Sequence, residues 1–330
     1  MEWTMTAKFT KARMILLSLF VMFLWGSLFA FVKWDMLELG ISSKSNPFDT
    51  ILFAGIRFLI SGLLLSVFVL LFKRKENPIK AVFLSKKSIL AVVAVGVVGF
   101  ALHYSLTYLG LETIDSGKAS LIKQAGVLVF VCFSFLFFKE DKFHWGKIVA
   151  AVLGAASIVV TNLDSFSFSF SYESLYLVGA SFCTVIANVA FKKLSGGASP
   201  IAITAFAMFF GGVLLTVLGF SCGGRVSPLT GESVAIFAFI VLATIVSYGL
   251  WYSIVYQFEL SKLFIIKMAE PLFATLVSVL IPSLHAKLGY ELLIAFVLVA
   301  AAVYISNARF HKKEEKEELA YESHDRQSRN

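Results

Sequence analysis

Charge is scarce in this chain. Only 15% of its 330 residues are Asp, Glu, Lys or Arg, against about a quarter in an average soluble domain. With 58% hydrophobic residues and a mean hydropathy of +0.83, water-soluble classes drop out and a polytopic membrane protein remains. Cysteine is nearly absent too. Cys132 and Cys183 lie in apolar runs and Cys222 in a loop, which fits neither a disulfide framework nor a metal spacing. There is no N-x-[ST] sequon, P-loop, G-x-S-x-G or H-E-x-x-H, so energy from ATP would need another chain and the common hydrolase signatures are missing. Ser105 near His103 on one span is a poor nucleophile–base pair. A potassium-filter sequence is also absent. The chain is expected not to be an enzyme and to carry no cofactor or metal. Its net charge of +8 is spread over the flanks of apolar runs, which argues against a nucleic-acid partner and for a lipid bilayer.

What is present is ten apolar runs, expected as helical spans at 14–34, 50–72, 88–110, 116–138, 146–161, 173–191, 199–219, 233–257, 262–281 and 289–307. The first follows Lys8, Lys11 and Arg13 but is long and lacks a small-residue cleavage site, so it reads as a retained span. Alternate loops are basic. Lys73, Arg74, Lys75, Lys80, Lys86 and Lys87 crowd the second, Lys139, Lys142 and Lys147 the fourth, Lys192 and Lys193 the sixth. Arg309, Lys312, Lys313 and Lys316 follow the last span. By the positive-inside rule these loops and both termini are cytoplasmic, in an inner or plasma membrane. The stretch F-S-F-S-F-S-Y, Phe166 to Tyr172, alternates like a strand but has no partner, and is expected to be an interfacial aromatic segment.

The two halves repeat. L-I-K-Q-A-G-V-L at Leu121 to Leu128 echoes I-I-K-M-A-E-P-L at Ile265 to Leu272. A-L-H-Y-S-L-T-Y at Ala101 to Tyr108 echoes G-L-W-Y-S-I-V-Y at Gly249 to Tyr256. Ser61 to Val67 resembles Gly211 to Val217, Ser157 to Asn162 resembles Ala302 to Asn307, and Gly26-Ser27 pairs loosely with Ala180-Ser181. All five pairs fall in order. Each half holds five spans, and five is odd, so the second half enters the membrane upside down. The expected fold is all-α, ten transmembrane helices in two inverted five-helix repeats: a cytoplasmic N-terminus (1–13), a first repeat (14–162), a linker (163–172), a second repeat (173–308) and a charged cytoplasmic tail (309–330). Inverted repeats are an architecture of secondary transporters, with the site near midplane between the halves.

Lys123 and Lys267 are the candidate site. Each stands inside an apolar run at the same place in its repeat, and charge at membrane depth is by default functional. One reading has them attract a substrate's anionic group. The other has each snorkel to its nearer interface. Glu270, three residues from Lys267, can pair with it on a helix face. It either carries a coupling proton or is a structural partner. Pro271 removes the N–H that would bond the Lys267 carbonyl, so Pro271 and its counterpart region at Gly126 are expected hinges. Arg57 in the second span pairs with a substrate anion or with the end of a neighbouring helix. His103 and Trp251 are repeat mates, and Tyr104, Tyr108, Tyr252 and Tyr256 line a cavity or pack spans together. Trp25 with Gly26 marks a close helix approach in span 1. If both lysines serve the substrate, Lys267→Ala stops transport without unfolding the protein.

These residues carry a resemblance. L-W-G-S-L-F-A-F-V-K at Leu24 to Lys33, Arg57, H-Y-S-L-T-Y-L-G-L at His103 to Leu111 and A-E-P-L-F-A-T-L at Ala269 to Leu276 resemble EamA-type carriers of the drug/metabolite transporter superfamily, over residues 12 to 308. The resemblance implies a central cavity and export of amino acids, metabolites or drugs by alternating access, with protons as a candidate coupling ion. Many relatives carry a proline in span 4, where this chain has Ala125-Gly126-Val127. A nucleotide-sugar or other organic-anion antiporter of the same superfamily, and a non-transporting scaffold, are the alternatives. Monomer and homodimer are both compatible with the sequence.

Overall fold

The computed structural model describes residues 11–41, 46–73, 77–139, 141, 145–160, 172–227, 230–285, 290 and 293–305. The N-terminal ten residues, the aromatic linker and the tail lie outside this set. Fourteen α-helices are described. They are α1 (Lys11–Glu38), α2 (Pro47–Phe72), α3 (Pro78–Phe83), α4 (Lys86–Ala94), α5 (His103–Thr113), α6 (Ser116–Ile122), α7 (Ala125–Phe133), α8 (Trp145–Val160), α9 (Tyr172–Leu194), α10 (Pro200–Ser221), α11 (Gly231–Gln257), α12 (Leu260–Lys267), α13 (Glu270–Leu280) and α14 (Leu293–Ile305). No strand occurs among the described residues. Among the described residues, eight apolar helical stretches are long enough to cross a membrane, with α4–α5, α6–α7 and α12–α13 each counting as one, and α8 and α14 are shorter apolar helices. The chain is an all-helical, multi-pass membrane protein.

Local chemistry sets several helix starts. The Asn46 side chain accepts from the Phe48 N–H, with Pro47 in the first turn of α2. Ser85 and Thr230 accept from Ser88 and Ser233 at the starts of α4 and α11. Each cap satisfies a donor that the helix itself cannot. Between α4 and α5 the chain does not stay α-helical: Val95–Leu102 is a π-helix, a feature concentrated at functional sites. The short helix α3 in the second loop was not legible from hydropathy.

The two repeats meet along α2 and α10. A Cβ on Gly55 would lie 2.5 Å from the Thr216 nitrogen, one on Gly62 2.3 Å from Phe209, one on Gly212 2.3 Å from Leu59 and one on Gly219 2.7 Å from Leu52. As the position in α2 rises, its partner in α10 falls, so these repeat mates run antiparallel. The second half is therefore inverted relative to the first. Small residues let the backbones touch, the packing available to helices where lipid removes the hydrophobic drive. Gly62→Leu or Gly212→Leu is expected to abolish the folded carrier, because backbone and not a movable side chain fills that space. Loss of the monodisperse peak in fluorescence-detected size exclusion checks it; a normal peak would count against this interface.

The rest of the packing maps onto itself when the halves are exchanged. Helix α1 packs on α11 and on α12–α13, as α9 packs on the π-helix–α5 stretch and on α6–α7. Lysines at corresponding ends reinforce this. Lys33 Nζ donates to the Leu111 and Ile114 carbonyls at the end of α5 (3.0 and 2.7 Å), and Lys192 Nζ to those of Val255 and Phe258 at the end of α11. Both cations sit where a helix leaves orphan carbonyls and negative dipole charge. Lys192 thus belongs to helix packing as well as to the basic flank in which hydropathy placed it. Leu71, Phe72, Phe220, Leu242 and Val297 are exposed, the lipid-facing surface a membrane span requires.

Candidate functional site

Spans 4 and 9 are both broken, and at matching places. Helix α6 stops at Ile122 with Lys123 as its cap, and α7 restarts at Ala125. Helix α12 stops at Lys267, and α13 restarts at Glu270 with Pro271 in its first turn. Pro271 is harmless there, since a first-turn residue has no intrahelical N–H partner to lose. Span 4 breaks without proline, by a tertiary route. The Gly126 N–H donates to Ser181 Oγ (2.7 Å) on α9, so it is withdrawn from its own helix. The expectation of a hinge at Gly126 is thereby shifted: the interruption is at Lys123-Gln124, and Gly126 lies just inside α7. A Cβ on Gly126 would meet Ser181 Oγ at 2.8 Å. At the equivalent contact, Gly26 on α1 lies against the Glu270 carbonyl of α13, 2.8 Å from a built Cβ. The same close approach is made in both repeats, with the glycine on opposite partners.

The breaks put Lys123 and Lys267 at the C-terminal ends of half-helices and Glu270 at an N-terminal end, the dipole-favoured placement for each sign. All three are deeply buried, at 5%, 4% and 1% exposure. Snorkelling to an interface is not what either lysine does. Lys267 Nζ bonds Glu270 Oε2 and stands 4.5 Å from the Trp25 ring centroid. The Lys123 ammonium has no hydrogen bond or ion pair among the described residues. Its ammonium faces the Phe29 ring at 4.7 Å and the Tyr104 ring at 5.9 Å, cation–π contacts that partly replace water.

One central cavity gathers these groups, with about 610 Å³ of non-atom space, open solvent included. Helix α1 contributes Trp25, Leu28, Phe29 and Val32. Helix α2 contributes Arg57. The π-helix–α5 stretch contributes Gly99, His103, Tyr104, Thr107, Tyr108 and Leu111. Helix α9 contributes Thr184, Ala187 and Asn188, α11 contributes Tyr248, Trp251 and Tyr252, and the two breaks contribute Lys123, Lys267 and Glu270. The residues expected at the site from sequence are on this wall, save the two hinge positions and Tyr256. Tyr256 is turned away and exposed.

Arg57 was expected to meet a substrate anion or the end of a neighbouring helix; among the described residues it pairs with no carboxylate. Its Nε and one terminal nitrogen donate to Thr244 Oγ1 (2.9 and 2.7 Å), and the other terminal nitrogen donates to the Tyr108 hydroxyl (2.5 Å). The guanidinium also stacks 4.7 Å from the Phe58 centroid. Neutral hydroxyls satisfy its donors without cancelling its charge. The cavity thus holds three cations, Arg57, Lys123 and Lys267, against one carboxylate, Glu270.

Tyr248 and Asn188 were missed from sequence. Tyr248 bonds the Tyr104 hydroxyl and packs 5.2 Å from Trp25. Its repeat mate is Phe100, 5.0 Å away, so the repeat offered no polar match. The signal available was spacing: 248, 251 and 252 share a helix face. Asn188 Oδ1 accepts from Trp251 Nε1 (2.7 Å). A lone amide in an apolar span was its signal.

An inverted ten-position helical bundle with one charged cavity between its repeats is a transporter's arrangement. A model of the EamA-like transporter family matches residues 12–163 and 171–308. The chain belongs to the EamA-like transporter family. It is a transporter and not an enzyme. Similar proteins include an uncharacterized transporter of Bacillus subtilis, YvbV, 25% identical over 91% of this chain and 93% of that protein. An S-adenosylmethionine/S-adenosylhomocysteine transporter of Chlamydia muridarum is 24% identical over 77% of this chain and 79% of that protein. A crystal structure matches with a TM-score of 0.69 over 89% of this chain and 96% of that one. At 17% identity it speaks for the fold alone.

Proposed function

We propose that this EamA-like transporter exports a small organic metabolite by alternating access, drawing the substrate's anionic group into the cavity between Lys123 and Lys267. The carrying observation is that the two lysines, equivalent in the repeat, stand at the two helix breaks and open onto one cavity. Rocking one repeat against the other would turn on those breaks, where the α-helical ladder is already interrupted. Glu270 is the carboxylate through which protons would couple, competing with substrate for Lys267. The membrane is the cell's inner or plasma membrane with both termini cytoplasmic, from the basic flanks.

A second reading, a nucleotide-sugar or other organic-anion antiporter, is favoured by the same excess of cations and by the aromatic wall of Trp25, Trp251 and Tyr248. S-adenosylmethionine, which the Chlamydia relative carries by name, fits less well, because its sulfonium would face three cations. Comparative metabolite profiling tests the reading. Cells making the wild type are set against cells making equal amounts of the Lys123→Ala/Lys267→Ala variant, and cell and medium pools are quantified. An anionic or zwitterionic metabolite should reach the medium with the wild type only. Identical pools in both strains and the empty control would favour a scaffold.

A further inference from the structure

The cavity holds polar atoms that the protein itself leaves without partners. Trp25 Nε1 and His103 Nε2 are buried and unbonded among the described residues, and Lys123 Nζ has neither hydrogen bond nor ion pair. Their residues line the same wall and are over nine-tenths buried. Native proteins rarely leave such groups unmet without a functional reason. Elsewhere on the wall, Arg57, Trp251, Tyr104 and Lys267 all have partners.

The hydrogen-bond pattern identifies what each orphan needs. Trp25 Nε1 can only donate, and Lys123 carries three donors and a charge. The Thr184 hydroxyl lies 3.2 Å from the Ala180 carbonyl and 2.9 Å from His103 Nδ1, and that carbonyl, which can only accept, is also a hydrogen-bond partner of the imidazole. Nε2 has no partner among the described residues, so we place the ring proton on Nδ1. With its proton on Nδ1, the neutral ring presents Nε2 as a bare acceptor. The lysines are not equivalent either. Lys267 is already neutralised by Glu270, whereas the corresponding position beside Lys123 is Gly126, which brings no charge.

We infer that Lys123, His103 and Trp25 form the substrate-recognition set of this carrier, and that the set selects an organic acid bearing its own hydrogen-bond donor. The acid group sits at Lys123, an O–H or N–H of the substrate meets His103 Nε2, and an acceptor of the substrate takes the Trp25 N–H. Lys267 and Glu270 satisfy each other in this state. A plain acid would leave His103 Nε2 unmet, and a neutral analogue would leave Lys123 unmet. Lys123 and His103 line the same cavity, so one substrate can meet both. The inference rests on the transport reading for its biological meaning, but not for its geometry.

The experiment uses the full chain in lipid nanodiscs and reads tryptophan fluorescence, since Trp25 and Trp251 face the cavity. The probes are mandelate, phenylacetate (the same acid without the hydroxyl) and mandelamide (the same hydroxyl without the charge). Mandelate should bind about tenfold or more tighter than phenylacetate, the scale of one buried acceptor left unpaired, and mandelamide should not bind. His103→Leu should bring mandelate down to the phenylacetate level, and His103→Gln, which keeps an acceptor, should restore the preference. Lys123→Met should lose both acids; Lys123→Arg, which retains the charge, serves if the first variant does not fold. Equal binding of mandelamide and mandelate, a preference that survives His103→Leu, or no binding by either acid overturns the assignment. Acids that bind with this pattern but do not cross proteoliposomes would sink the transport reading and leave the recognition set standing.

Discussion

Lys123→Ala is expected to reduce transport roughly 30-fold or more while leaving the melting temperature unchanged or raised. The two halves of that statement have separate physical causes. Losing the protein's side of a buried charge contact removes about 2–5 kcal/mol of substrate binding, which is that fold-change or more. Stability moves the other way because Lys123 is 5% exposed and forms no ion pair among the described residues, Glu270 acting on it only through space. A buried cation without an ion pair is a burden on the folded state, offset in part by the Phe29 and Tyr104 rings and by the field of Glu270. A residue that destabilises its own fold and is dispensable for packing is held for another purpose. Parallel melting curves and uptake or efflux assays in proteoliposomes check both halves. Unchanged transport, or a collapse in melting temperature, would show that Lys123 is structural.

The parts of this molecule that were legible in sequence are those set by single residues at membrane depth. The ten apolar runs, the inversion from an odd number of spans, and the pairing of Lys267 with Glu270 all follow from local pattern. Pro271 announced the interruption of span 9 because its effect is written into its own backbone. In both spans the interruption lies two to three residues before the expected hinge, at 123–124 and at 268–269, and in span 4 it has a cause no local pattern carries: Ser181, 55 residues away, captures the Gly126 N–H. Arg57 was expected to meet a substrate anion or the end of a neighbouring helix, since a charge at membrane depth needs a partner. Its actual partners, Thr244 and Tyr108, come from two other spans that only the fold brings together. Tyr248 escaped because the search for repeat mates rewards identity, and its mate Phe100 has the same ring without the hydroxyl. Symmetric positions near the pseudo-two-fold meet each other in space, and there one polar copy facing an apolar one is sufficient.

Lys267 and Glu270 call for a different expectation from Lys123, and from the simple idea that truncating Lys267 leaves the fold intact. Glu270 is 1% exposed, and Lys267 is its bonded partner. Removing one member strands the other in a low-dielectric interior, which in buried pairs costs about 3–5 kcal/mol. Glu270→Ala is therefore expected to lower stability sharply, since an ammonium remains against the Trp25 ring with Arg57 and Lys123 as neighbouring cations. Lys267→Ala should be milder, because Arg57 and Lys123 stay near to compensate the carboxylate. The double variant Lys267→Met/Glu270→Met fills a similar volume with apolar chains and should recover most of the stability. Transport should not recover with it. The pair sits at the break of α12 and α13, and a methionine pair offers no competing charge for a proton or a substrate anion to displace. Thermal melts of the wild type, Lys267→Met, Glu270→Met and the double variant close a cycle that gives the coupling, and transport assays on the same preparations give the functional arm. A double variant that is stable and transports normally would reduce the pair to scaffolding and leave Lys123 as the site's working cation. A double variant as unstable as Glu270→Ala would place the loss in packing around the break.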